Sequence, residues 1–163
     1  TAAVAEATGL RPEVLVDLHE QGGCQAGASP EVYQGRPGMT REGIVAEFGD
    51  WMLPDSIDEA GWWKCRQWER PDEAEERGRR VAGELVGQFG DLPTRVAGIT
   101  HGMFKPILVS ALLGRPFIGN EWLGDLYNTS VTELRLSSAG VTLESYNDTW
   151  HLTPETTPEL LTG

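Results

Sequence analysis

Apolar and polar positions fall into blocks that predict helices alternating with short strands and a closing hairpin. The opening residues carry a helical pattern that ends near Thr8-Gly9, and Arg11-Pro12 breaks the chain before the apolar run Val14 to Leu18, which predicts a short buried strand. From Gln21 to Arg70 the pattern loosens, and Gly35, Pro37, Gly38, Pro54 and Gly61 punctuate short helical pieces such as Thr40 to Phe48. Thr40 suits an N-cap there, although Gly43 stands where a capping box needs Glu or Gln. Pro71 opens the clearest helix, with Val81, Leu85 and Phe89 as its apolar face, and Gly90-Asp91-Leu92-Pro93 ends it.

The apolar run Val96-Ala97-Gly98-Ile99 then predicts a strand that gives way to a turn at Thr100-His101-Gly102-Met103. Lys105 to Leu113 follows as a helix, with Pro106 near its first position and Gly114 as its stop. This helix–strand–helix run is of the kind that builds a largely parallel sheet. Asn128 to Leu136 and Val141 to Tyr146 predict two strands joined by Ser137-Ser138-Ala139-Gly140, an antiparallel hairpin at the sheet edge. The class expected is therefore α/β. Residues 1–152 form one expected domain, with 21–70 as an insertion or lid, and the tail 153–163 is expected to be extended or mobile.

Charge narrows the partners. The formal net charge of −12 argues against nucleic acid, whose phosphates reward clustered Lys and Arg. Much of the acid lies on helix faces: Glu73/Arg77, Glu75/Arg79 and Glu76/Arg80 are i,i+4 pairs in the favourable orientation, so the arginines after Pro71 are read as a solvated, salt-bridged face. Cys24 and Cys65 are too few and too far apart for a metal set or a disulfide framework and are expected as free thiols. No apolar run is long enough to span a bilayer. The insertion holds Trp51, Trp62, Trp63 and Trp68, four of the six tryptophans. Each is read either as packing for the insertion or, for the region as a whole, as a surface that selects a substrate.

His101 carries the candidate chemistry. It stands where an apolar strand ends and a helix begins, the place where open α/β sheets bind ligands. Unpaired N–H groups at a helix N-terminus favour an anion, and an imidazolium beside them adds to the attraction. By local pattern alone the same residue is also read as a hydrogen-bonded histidine under a loop.

Several blocks, in order, extend the picture. Val96-Ala97-Gly98-Ile99-Thr100-His101-Gly102 resembles the second histidine motif of the histidine phosphatase (phosphoglycerate mutase-like) superfamily. Tyr127-Asn128-Thr129-Ser130-Val131-Thr132-Glu133-Leu134 is similar to the Asn-x-Ser-Val strand that follows the histidine helix in that family. Leu143 to Leu152, with Asn147-Asp148-Thr149-Trp150-His151-Leu152, resembles its closing Asn-Asp-x-x-His-Leu segment. Upstream, Leu18-His19-Glu20 before Gly22-Gly23 resembles the Leu-x-Glu segment that holds the family's general acid, and Thr1 to Leu10 looks like the second half of a helix that in relatives begins Arg-Ala-x-Gln.

The resemblance implies a three-layer sandwich of the phosphoglycerate mutase-like kind, incomplete in these residues, and a phosphomonoester hydrolase working through a phosphohistidine without metal or other cofactor. It makes His101 a donor and positive charge toward the phosphoryl oxygens, helped by the N–H groups of Gly102 and Met103. Glu20 becomes the proton donor to the leaving oxygen, with Asp17, Glu31 and Glu42 as rival carboxylates. Asn128, Trp62 and Trp63 are the remaining expected substrate contacts. The Arg-His-Gly motif that carries the family's nucleophile is not among these residues: neither His19 nor His151 is preceded by Arg or followed by Gly. The nucleophile and the N-terminal segment that bears it are therefore expected upstream in a longer protein, and residues 1–163 alone are expected to be inactive. A phosphoglycerate mutase-type transfer and a noncatalytic phosphate-binding module of the same fold stay open. The remaining expectations are a small phosphorylated substrate, a cytoplasmic setting, no nucleic acid or membrane partner, and either a monomer or a homodimer.

Overall fold

A computed structural model describes residues 1–119, 124 and 126–152. The chain divides into two compact units, one of Thr1–Ala74 with Ile99–His101, the other of Glu75–Gly98 with the described residues from Gly102 onward.

The first unit opens with helix α1 (Ala2–Thr8), which ends at Gly9. Beyond it, Val14 N–H donates to the Met52 carbonyl and Met52 N–H to the Pro12 carbonyl, both at 2.8 Å, and Glu13 and Met52 form a parallel bridge. The expected strand at Val14–Leu18 does not continue from there. Val16–Leu18 is a single 3-10 turn, closed by Leu18 N–H to Leu15 and His19 N–H to Val16. A strand exists only through a neighbour's ladder, and the amides of Leu18 and His19 are satisfied locally instead. Two short strands, β1 (Gln25–Ala26) and β2 (Gln34–Gly35), pair antiparallel.

Helix α2 (Arg41–Phe48) begins where expected, and the Thr40 hydroxyl accepts from Gly43 N–H at 3.1 Å. Such a cap contributes about 1 kcal/mol. Arg41 fixes the segment that follows, its guanidinium donating to the carbonyls of Ile57 at 2.8 Å and Pro54 at 2.6 Å. The core of this unit holds Ile44, Ile57, Trp63 and Ala74.

Helix α3 (Pro71–Phe89) starts as the pattern predicts. Its first turn is closed by Glu73, whose carboxylate accepts from Arg70 N–H at 2.8 Å. Within the second unit, Val81 and Ala82 of α3 are buried, and so are Phe104, Ile107, Leu108 and Val109 of helix α4 (Phe104–Leu112). Full burial of a phenylalanine such as Phe104 contributes about 1.5–3 kcal/mol. Glu75 and Arg79 form the expected ion pair, 3.6 Å apart, but the expected solvated face does not extend to Arg77, which is buried. Arg77 is 4% exposed, with its guanidinium 3.7 Å from the centre of the Phe104 ring. A cation over a desolvated aromatic face gains up to about 2 kcal/mol, so Arg77 belongs to the interior of this unit.

Strands β3 (Val131–Ser137) and β4 (Gly140–Asp148) form the expected antiparallel hairpin, with Ser137 opposite Gly140 and irregular register around Glu133. Among the described residues the pairing in both small sheets is antiparallel. The expected strand before His101 forms no ladder: positions 94–100 lie outside any strand, and every residue from 91 to 99 is exposed. An apolar run specifies an extended, bury-able segment, but the ladder that makes it a strand must come from elsewhere in the sequence, and no described strand lies against this one. The tail 153–163 lies outside the described residues.

Candidate active site

Glu20 follows two residues after the turn that ends at Leu18, and the segment Ile99–His101 lies in the same compact unit. Thr100 joins the two. Its hydroxyl donates to the Leu18 carbonyl at 2.8 Å, across 82 positions of sequence. His101 follows directly and is exposed, whereas Glu20 is half-buried.

Glu20 sits in a tightly bonded loop. One oxygen of its carboxylate accepts from Gln21 N–H at 2.9 Å, and its carbonyl accepts from Gly23 N–H at 3.1 Å. Glu69 braces the far side of this loop: its carbonyl accepts from the Gln21 side chain at 2.9 Å, and its own N–H donates to the Gly22 carbonyl at 3.2 Å. The carboxylate of Glu69 lies 3.4 Å from Gly22 N–H.

His19 is 9% exposed, and its Nδ1 lies 2.7 Å from the Glu20 carbonyl oxygen. A carbonyl only accepts, so Nδ1 carries the proton. The imidazole stands 5.4 Å from the Trp62 ring and 5.1 Å from the Trp63 ring, and the two indoles are 5.5 Å apart. Trp63 is 3% exposed, its indole N–H donates to the Arg66 carbonyl at 2.8 Å, and the Arg66 guanidinium lies 3.9 Å over its ring. Trp62 is half-buried.

Both indoles need glycines to reach this place. A Cβ on Gly23 would overlap the Trp63 indole and one on Gly38 would overlap the Trp62 indole, and both glycines have positive φ, +76° and +74°. Of the other insertion tryptophans, Trp51 stacks on Phe48 at 4.6 Å and Trp68 lies 6.2 Å from Tyr33. The four tryptophans thus serve three separate contacts.

The rival carboxylates differ in setting. The Ser29 hydroxyl beside Glu31 holds that carboxyl below the usual glutamate range, which suits a permanent anion better than a proton donor. Glu42 is exposed in the first turn of α2, and Asp17 is half-buried within the 3-10 turn.

The remaining expected contacts belong to the second unit. Gly102 and Met103 form the exposed turn that runs into α4, and Asn128 is exposed in a turn whose next residue, Thr129, has φ +60°. Asn147, itself at φ +56°, accepts from Tyr127 N–H at 2.9 Å and donates its own N–H to the Thr132 hydroxyl at 3.2 Å. Lys105 reaches Ser130, its Nζ 3.2 Å from both the carbonyl and the hydroxyl oxygen, and lies 5.9 Å over the Tyr146 ring. Burial holds the Lys105 ammonium below its ordinary range and pushes the Tyr146 phenol up.

The structure thus gathers His101, Glu20, Trp62 and Trp63 in one unit and Gly102, Met103 and Asn128 in the other. Three residues beside these were not singled out by the sequence: His19, Glu69 and Lys105. His19 had a signal, as the residue between the end of the apolar run at Leu18 and Glu20, and Lys105 had another, as a lone cation in an otherwise apolar helix; Glu69 had none.

Among the described residues no group of His, Cys, Asp and Glu is placed to hold a metal ion, and no helix is long and apolar enough to cross a membrane. Cys24 and Cys65 are free thiols. No curated protein and no solved structure matches the chain. A family model does: the match covers residues 1–149, and the chain belongs to the histidine phosphatase superfamily, branch 1.

Proposed function

We propose that this chain supplies the acid and the phosphate-holding half of a phosphomonoester hydrolase whose nucleophilic histidine lies in an N-terminal segment of the same protein. The observation that carries the reading is the Thr100–Leu18 hydrogen bond, which ties the His101 segment to the turn that leads into His19-Glu20. A proton donor and a cationic donor held on one body are what phosphoryl transfer to and from a histidine requires.

The upstream histidine attacks phosphorus as the bond to the leaving oxygen breaks, and Glu20 gives its proton to that oxygen. Water then attacks the phosphohistidine, loses its proton to the Glu20 carboxylate and releases phosphate as the P–N bond breaks. His101 donates to the phosphoryl oxygens through both steps, with the N–H groups of Gly102 and Met103, which follow it directly in the chain. Trp62 offers its exposed part to the organic portion of the substrate and Trp63 supports it from beneath, which favours a larger or more apolar ester over a small acidic one. A strand of that upstream segment beside residues 94–100 is what the expected phosphoglycerate mutase-like sheet calls for.

The test uses the full-length protein with its upstream Arg-His-Gly. It is expected to release phosphate from a monoester in the presence of EDTA and to yield an alkali-stable phosphohistidine on rapid quenching, while residues 1–163 alone release none. Turnover by the 163 residues alone would overturn the divided site. A full-length protein that binds phosphate without turnover is a noncatalytic module, and transfer to a second sugar or acid hydroxyl in place of water marks a mutase.

A further inference from the structure

We infer that His19 is a positioning residue for Glu20, acting through a hydrogen bond from its Nδ1 to the Glu20 main chain while two indoles hold its ring. The inference rests on the proposal that Glu20 is the proton donor. Three observations carry it. The Nδ1–H to Glu20 carbonyl bond is 2.7 Å and local, so it reports directly on the conformation of the residue whose carboxyl must reach the leaving oxygen. The ring is buried to 9% exposure between Trp62 and Trp63, which removes most of its freedom to leave that bond. Finally, the indoles are seated on Gly23 and Gly38, where no side chain fits, so they are fixed by backbone rather than by other flexible groups.

Together these make a rigid chain of contact from the insertion to the acid. The same carbonyl of Glu20 also accepts from Gly23 N–H at 3.1 Å, so the oxygen has both lone pairs committed and the peptide following Glu20 cannot rotate without breaking two bonds. On the side-chain end, Gln21 N–H holds the carboxylate at 2.9 Å, and that amide belongs to the very peptide the imidazole locks. The direction in which Glu20 presents its proton is thereby set by His19. This gives the insertion, through Trp62 and Trp63, a route to the chemistry that does not need either indole to touch the substrate.

Asparagine places its amide nitrogen near the position of Nδ1, glutamine near that of Nε2, and phenylalanine keeps the ring without a donor. The experiment compares His19→Asn, His19→Gln and His19→Phe in the full-length protein with Glu20→Gln as reference, on an alkyl phosphate and on a nitrophenyl phosphate. The readouts are phosphoenzyme formation in the burst and the thermal melt. The alkyl ester needs the proton and the nitrophenyl ester does not. His19→Phe and His19→Gln are expected to slow phosphoenzyme formation from the alkyl ester about tenfold or more and that from the nitrophenyl ester by less than about twofold, with kcat affected more than KM, while His19→Asn restores most of the alkyl rate. Equal losses on both esters, or a lowered melt with unchanged preference in all three variants, would overturn the inference and leave His19 as packing. Should His19→Phe fail to fold, the Asn and Gln pair decides alone. A Glu20→Gln protein that shows no leaving-group preference removes the acid role itself, and the positioning role falls with it; preference in Glu20→Gln without any in the His19 variants removes the positioning role only.

Discussion

Thr100 and Leu18 are joined by a hydrogen bond from the threonine hydroxyl to the leucine carbonyl at 2.8 Å, and the residues next to this bond, His101 on one side and His19-Glu20 on the other, are the ones on which phosphoryl chemistry is proposed to depend. The Leu18 carbonyl takes no helical partner, because the 3-10 turn ends there. The bond thus satisfies a main-chain acceptor and sets the register between two distant segments with one side-chain oxygen.

Replacing Thr100 by valine keeps the shape and removes the donor. Losing one such bond costs about 1 kcal/mol, or a shift of about 2–4 °C in Tm for a protein of this size. The expected effect on kcat of the full-length protein is larger, about tenfold or more, because a displacement of the His101 segment acts on positioning. Calorimetry with steady-state kinetics on the same samples checks it. A melt that falls with kcat unchanged would make the bond merely structural.

His101→Ala tests the anion-holding role. His101 is exposed, so its loss is expected to leave the melt within about 2 °C, surface changes being nearly neutral. In the full-length protein kcat should fall about a hundredfold or more, the scale for losing one preorganised donor. Inorganic phosphate or vanadate inhibition should weaken in parallel.

Gly23→Ala is expected to destabilise by about 2–4 kcal/mol, the sum of a left-handed backbone and an overlap with the Trp63 indole. Gly9→Ala is the control. Gly9 is left-handed, with φ +67° and ψ +10° and nothing within 4 Å of its added carbon, so it should cost only the backbone share, about 1–2 kcal/mol. Urea unfolding followed by near-UV circular dichroism separates the two, since only the first should disturb the Trp63 environment.

Lys105 gives stability a pH dependence of defined sign. Burial lowers its folded-state value, so between that value and the ordinary lysine value of about 10.4 the unfolded chain binds more protons and stability rises with pH. Below that window the penalty for holding the buried charge is constant. The raised phenol of Tyr146 acts with the opposite sign and only above the ordinary tyrosine value of about 10, where the folded state retains a proton that the unfolded chain has lost and stability falls with pH. Urea unfolding below about pH 10 therefore isolates the lysine, and Lys105→Met is expected to remove the rise.

The elements legible in the sequence are those whose cause is local. Thr40 caps α2, Pro71 opens α3, Gly114 follows α4 and Ser138-Ala139 turn the hairpin, all within a few residues of the features that signal them. Positions 14–18 and 96–99 read as strands from apolar content alone, and content does not supply a partner for the main chain. Arg77 was misassigned for a related reason. Its charge matches Glu73 four residues before, but it also falls three residues after Ala74 and four before Val81, within the buried stripe. Pairing of charges says nothing of which face the pair is on. The motifs around Glu20 and His101 were legible by resemblance, whereas the contact of His19 with Trp62 and Trp63 spans more than forty residues and leaves no periodic trace.

The exposed run before His101 has a consequence for how the protein behaves in solution. Val96 and Ile99 are 56% and 46% exposed in an apolar segment with no ladder, whose free main chain another molecule can pair with. What opposes such pairing is the net charge of −12, through repulsion between molecules. That repulsion reaches about 30 Å at 0.01 M salt and only about 3 Å at 1 M. Preparations of these 163 residues should therefore stay dispersed at low ionic strength and cluster as salt is added, and a charge introduced at Val96 should blunt the salt response. Colloidal behaviour would then report on whether that edge is covered.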